Sequence, residues 1–219
     1  MPPPPDPVTA ADVDAVVAAA VAALRPAASA DWSVRAGDLT WTCWETVEHL
    51  ADDLFVYGAQ LAPVAPDRGL PFEADARGPA GPRNTIRARP DAGVDGLLDV
   101  LAAGGAVLAA MARAAPPGRE GFHVFGPADA EASAAMGVLE TLVHVHDVAT
   151  GLGATWTPDA DLCARVLARL MPDVEPAADP WTTLQWATGR TDLPGRARRT
   201  SWRWTNAPGA EAVPMPDVR

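Results

Sequence analysis

Apolar residues recur at helical spacing in four long stretches of the chain. After Thr9, a natural N-cap, Val13, Val16, Val17, Val21 and Leu24 share one face, and Pro26 stops the run. The spacing predicts a second helix over about 42–62, ended by Pro63, with Trp44, Val47, Leu50, Ala51, Leu54, Gly58 and Leu61 on its apolar arc. A third is predicted over 94–114, with Leu97, Leu98, Leu101, Leu108 and Met111 inward and Pro116, Pro117 and Gly118 closing it. A fourth starts behind the cap residue Asp129 and reaches about Thr150, where Gly151 and Gly153 end it.

Between the second and third helices, residues 63–93 are rich in Gly, Pro and Arg. They read as a long irregular connection with room for one short strand, and such loops are often functional. GFHVFGPAD reads as a second ordered loop. Four amphipathic helices with two long connections predict a mainly α fold, a four-helix bundle with crossover loops. The bundle is expected over 8–155, behind a loose Pro-rich start at 1–7. A small helical or α+β subdomain is expected over 156–219, with helices at 159–170 and 181–188, the latter ended by Gly189. The segment RTSWRWTN is its candidate strand. There is no internal repeat.

Composition narrows the function classes. The 219 residues suffice for one domain with a small appendage, and 48% are hydrophobic, enough for a sizeable core. No run of about 18 apolar residues lacks a charge or a Pro, so no membrane span is expected. The start MPPPPDPVTA does not read as a signal peptide, which makes a cytoplasmic protein the expectation. The formal net charge of −11 repels phosphate backbones and argues against a nucleic-acid partner. All 17 basic residues are Arg, and with the abundance of Ala, Gly and Pro this is the composition of a high-GC, actinobacterial-type genome. Cys43 and Cys163 lack C-x-x-C spacing and read as small buried apolar residues, not as nucleophiles.

The segment LETLVHVHDVATGLG carries the candidate chemistry. On a helix, Glu140, His144 and Asp147 share a face, while His146 points roughly 120° away. Ser133, Gly137 and Gly151 continue the same stripe, and such small residues leave room beside the carboxylate and imidazole. Glu and His at i, i+4 can chelate one ion from a single helix, and His49 is the natural third ligand. His123 lies in a loop and His146 faces elsewhere. A His2Glu set with an open fourth position is the pattern of a catalytic divalent-metal site, with Asp147 as an orienting residue or a base.

The plainer alternative is a solvated i, i+4 pair. His49 lies roughly 140° from the centre of its helix's apolar arc, among Thr42, Glu45, Asp53 and Gln60. That stripe faces either bulk water or a polar cleft at the bundle's mouth. The eight Trp read as core anchors ahead of a ligand cage. Arg83, Arg87 and Arg89 read as a solvated loop cluster ahead of a clamp for an anionic substrate. GLGATW follows a helix, not a strand, which removes a dinucleotide reading.

DLTWTCWETVEHLADDLFVYGAQL resembles the second-helix signature of the DinB/YfiT-like proteins, and more narrowly of the actinobacterial mycothiol-dependent maleylpyruvate isomerase family. GFHVFGPAD, MGVLETLVHVHDVATGLG and DPWTTLQWATGR are similar to later segments of that group. The resemblance implies a DinB-like four-helix bundle with an added C-terminal region. It implies a metal held by His49, Glu140 and His144: zinc first, with nickel, iron or manganese as alternatives. It further implies a low-molecular-weight thiol such as mycothiol as co-substrate, in S-transfer to, or isomerisation of, a small electrophilic substrate. Asp147 and Arg83 are then the candidate catalytic residues, Arg83 or Arg87 holding a substrate carboxylate. A metal-dependent hydrolase and a non-catalytic binding or stress-response module stand as alternatives. The expected partners are the substrate and the thiol, with the chain a monomer or homodimer.

Overall fold

The computed structural model describes residues 5–63 and 67–206. The reading of 1–7 as loose, and the last part of the C-terminal subdomain, fall largely outside them. Among the described residues six α-helices are formed: α1 Ala10–Leu24, α2 Cys43–Gln60, α3 Gly93–Ala114, α4 Ala130–Leu152, α5 Ala160–Leu170 and α6 Pro180–Ala187. Thr9 and Asp129 stand at the N-caps of α1 and α4, where the sequence places them. Thr42 and Glu45 form a reciprocal capping box at the start of α2, and Asp129 accepts from the Ala132 N–H at the start of α4.

The first four helices make the bundle. α2 packs along α3 most extensively, and α1 and α2 each contact both α3 and α4 while barely touching one another. They therefore hold opposite corners, which requires the chain to cross the bundle between them. Leu24, Leu50, Leu54, Leu97, Leu98, Leu101, Leu108, Met136, Leu139 and Leu142 fill the centre and are fully buried. The helix Pro90–Ala114 is long and apolar enough to cross a membrane, but its leucines pack inside the bundle against α1 and α2.

α5 and α6 lie against each other, and α5 packs on α4. Covered by the bundle on one side and this subdomain on the other, α4 is buried along nearly its whole length. His146 is its main half-exposed residue in that stretch, and it meets α6: its Nε2 lies 2.9 Å from Gln185 Nε2, and its ring is edge-on to Trp181.

Four expectations are corrected. The long connection holds a two-stranded hairpin, β1 Asp75–Ala76 with β2 Arg83–Asn84, instead of a single strand. The second loop forms another, β3 Glu120–Gly121 with β4 Ala128–Asp129. RTSWRWTN is not a strand: it runs irregularly, tied by the Thr205 N–H to the Leu170 carbonyl. Gly151 does not end α4, which continues to Leu152 and closes on Gly153 in the left-handed region.

Candidate metal centre

Two imidazole–carboxylate pairs, one from each of two neighbouring helices, face one another between α2 and α4. On α4, His144 Nε2 lies 3.1 Å from Glu140 Oε2, one turn earlier. On α2, His49 Nε2 lies 3.2 Å from Asp53 Oδ2, one turn later. Both spacings are i, i+4, the distance at which helical side chains stack. Because α2 packs on α4, the two rings come to 5.5 Å between centroids, at 74° to each other. His49 remains 23% exposed in its side chain, so the polar stripe of α2 opens on a cleft beside α4 and not on bulk water.

Other side chains complete the cleft. Trp41 sets its ring edge against His49 at 4.8 Å and lies 6.3 Å from His144. Tyr57, one turn beyond Asp53 on α2, is buried beside Glu140 and Asp53. Behind the α4 imidazole, His144 Nδ1 lies 3.3 Å from Asp147 Oδ2. Asp147 is in turn gripped by Arg190, whose Nη2 donates to Oδ2 at 2.6 Å and whose Nε donates to Oδ1 at 3.0 Å. Behind the α2 imidazole comes Asn84 of β2. His49 Nδ1 and Asn84 Oδ1 are both buried without a hydrogen-bond partner.

The β1–β2 connection is fastened to α2 by two further carboxylates. Asp52 accepts from the Thr85 and Ile86 N–H groups at 2.8 and 2.7 Å. Glu48, 1% exposed, receives the guanidinium of Arg77, which also donates to the Ala88 carbonyl. These contacts flank His49 in sequence, so the loop that supplies Asn84 is locked to the helix that supplies the imidazole.

The charges are distributed unequally. Burial, helped by repulsion from His144, pushes His49 down to about 4, so it is a neutral imidazole at neutral pH. Burial also disfavours charge on His144, but Asp147 and Glu140 on its two sides outweigh that and raise it to about 9. Glu140 and Asp147 are buried too, yet the cations beside them hold both below the ordinary carboxylate range. Burial and the neighbouring Glu140 raise Asp53 well above that range. Burial, with Asp53 and Glu140 beside it, likewise raises Tyr57.

His49, Glu140, His144 and Asp147 thus meet in one cleft, while Arg83 does not join them. Its guanidinium is exposed and donates to the Ala74 carbonyl, so the catalytic or substrate-clamping role expected of it is not supported by its placement. Asn84, the next residue, points the other way because successive strand residues alternate faces. Arg87 and Arg89 pair with Asp75 and Asp91 as a solvated loop cluster would.

The small residues of the α4 stripe do not leave ligand space. A Cβ on Gly137 would meet Leu108 and Leu54, and one on Gly151 would meet the Arg35 carbonyl and Cys43 Sγ, so both glycines permit close helix packing. Both cysteines are buried, and burial pushes their thiols up to about 11 and about 12. Trp32 and Trp204 are core residues as expected, whereas Trp41 lines the cleft.

Sequence reasoning missed Asp53, Tyr57, Asn84, Trp41 and Arg190 as members of the site. The His49-x-x-x-Asp53 spacing was the available signal for Asp53, since it mirrors Glu140-x-x-x-His144.

Among the described residues, no three His, Cys, Asp or Glu side chains stand within joint reach of one ion. Each imidazole rests instead on the carboxylate of its own helix. The donor chemistry nevertheless fits a divalent cation. Two imidazoles and one to two carboxylates line a single cleft, and the Nδ1 atoms of both imidazoles are buried without a hydrogen-bond partner, with Asp147 Oδ2 3.3 Å from that of His144 and Asn84 beside His49.

A profile of the DinB superfamily matches residues 12–148, which covers the four-helix bundle and stops short of α5 and α6. No curated protein and no solved structure matches the chain.

Proposed function

This chain belongs to the DinB superfamily, and we propose that it is a metal-dependent enzyme. In this reading it uses a low-molecular-weight thiol of the mycothiol type for S-transfer to, or isomerisation of, a small electrophilic substrate. The observation that carries the reading is the meeting of His49, Glu140 and His144 in one cleft with Asn84 and Asp147 behind the imidazoles. A bound divalent ion, zinc in the first instance, lowers the pKa of a thiol or water that coordinates it.

The protein's own groups divide the remaining work. His49 enters as a neutral donor, since burial already disfavours its proton. Glu140, held ionised by its neighbours, would supply negative charge to a bound ion. Asp147, whose Oδ2 lies 3.3 Å from His144 Nδ1, is placed to accept from that nitrogen and orient the ring. Paired on both oxygens with Arg190, it is a poor general base. The chain's own thiols are protonated and buried, so a nucleophile has to be brought in from solution, as thiol or as water.

The deciding test is turnover of a small electrophile, 1-chloro-2,4-dinitrobenzene, by zinc-loaded protein with and without mycothiol. Product formation that requires both zinc and thiol is the expected result. Hydrolytic activity without thiol selects the metal-dependent hydrolase, and failure to retain zinc selects the non-catalytic binding module.

Zinc affinity has an expected pH dependence. His144 carries a proton up to about pH 9 and must lose it to coordinate. Apparent affinity should therefore rise about tenfold per pH unit between pH 6 and 9 and level off above. Competition with a chromophoric chelator measures this, and a flat profile would remove His144 from the ligand set.

A further inference from the structure

We infer that Arg190 is a positioning residue of the metal centre, and that the segment following α6 is therefore part of that centre. This inference rests on the metal-site reading above and concerns how the α4 imidazole is held. Arg190 lies 42 residues beyond the end of the superfamily match at residue 148.

The chain of contacts is continuous. Gln185 and Trp181 of α6 meet His146 of α4 and dock the short helix. Gly189, at φ 71°, turns the backbone at the end of α6, and a Cβ there would meet the Arg199 carbonyl. The turn is closed by the Arg190 N–H on the Gln185 carbonyl, and Arg190 Nη1 donates to the Thr188 carbonyl. The guanidinium is thereby fixed before it reaches Asp147. It then takes both carboxylate oxygens, and its shortest contact, 2.6 Å, is to Oδ2, the oxygen that faces His144 Nδ1.

A fork on both oxygens removes the rotation of the Asp147 carboxylate about its own axis. That rotation matters because an imidazole that coordinates through Nε2 keeps its proton on Nδ1, and the proton needs an oxygen in a fixed place. Lys can substitute only in part, since an ammonium is a point charge without the fork.

The test compares the full chain with Arg190→Met, Arg190→Lys and Arg198→Met. Arg198 belongs to the same C-terminal segment and reaches Asp38 and the Gly189 carbonyl, away from Asp147. Two quantities are read: zinc affinity by chelator competition, and the exchange-protected His144 Hδ1 resonance with and without zinc. Arg190→Met should weaken zinc about 10- to 100-fold and lose the Hδ1 signal. Arg190→Lys should fall between Arg190→Met and wild type, and Arg198→Met should match wild type.

Zinc affinity and Hδ1 signal both unchanged in Arg190→Met would overturn the proposal. So would equal losses in Arg198→Met, which would mean general docking. If Arg190→Met does not fold, Arg190→Lys decides by the same two readouts. If the wild type takes up no zinc while its Hδ1 signal still depends on Arg190, the metal reading fails and the positioning role stands.

Discussion

Replacing His144 by Ala is expected to abolish zinc retention, with affinity lowered by more than about 100-fold, and to remove thiol-dependent turnover. The size of the effect follows from where the ring sits. His144 is the one imidazole between two ionised carboxylates, Glu140 at 3.1 Å and Asp147 at 3.3 Å, and it is nearly excluded from solvent. No other donor on α4 can take its place. His146 is two positions on and committed to Gln185 and Trp181. His146→Ala is therefore the matched control and should keep its zinc. Elemental analysis of protein purified without chelator reads both variants, with circular dichroism to show that the helices persist. Stoichiometric zinc in folded His144→Ala would end the metal-centre reading.

The second large effect is on stability. Arg77→Met should cost about 3–5 kcal/mol, because it leaves the carboxylate of Glu48 buried without its cation. The loss should spread to the cleft, since Arg77 also holds the Ala88 carbonyl and so fastens the loop that brings Asn84 to His49. Urea unfolding at neutral pH measures the stability term. Arg83→Met is the comparison: its exposed guanidinium holds one loop carbonyl, and its removal should change stability by less than about 1 kcal/mol. Adding Glu48→Gln to Arg77→Met should restore part of the loss, because the remaining buried group is then uncharged. An Arg77→Met variant as stable as wild type would mean that the pair does not anchor the loop.

The contrast between Arg77 and Arg83 shows where reading the sequence stops. Both arginines lie in one irregular stretch with no periodicity to orient them, and nothing local says which will find a buried carboxylate. The partner of Arg77 is 29 residues away on α2, and that of Arg190 is 43 residues away on α4. The stripe of small residues on α4 failed as a guide for a related reason. Gly137 and Gly151 are needed for the approach of Leu108 and of the Arg35 backbone, and spacing along one helix does not reveal what packs against it.

By itself the sequence determined the helices, their caps and the faces on which Glu140, His144 and Asp147 align, because these follow from a repeat of 3.6 residues and from side chains that bond the neighbouring backbone. It also placed His49 on the polar side of α2. Whether that side meets water or another helix depended on how α2 settles against α4. That is set by the packing of Leu50, Leu54, Leu139 and Leu142 in a shared core and not by any local preference. The tertiary structure alone decided that the two imidazoles face each other, that Asn84 stands beside one of them, and that Arg190 grips the carboxylate behind the other.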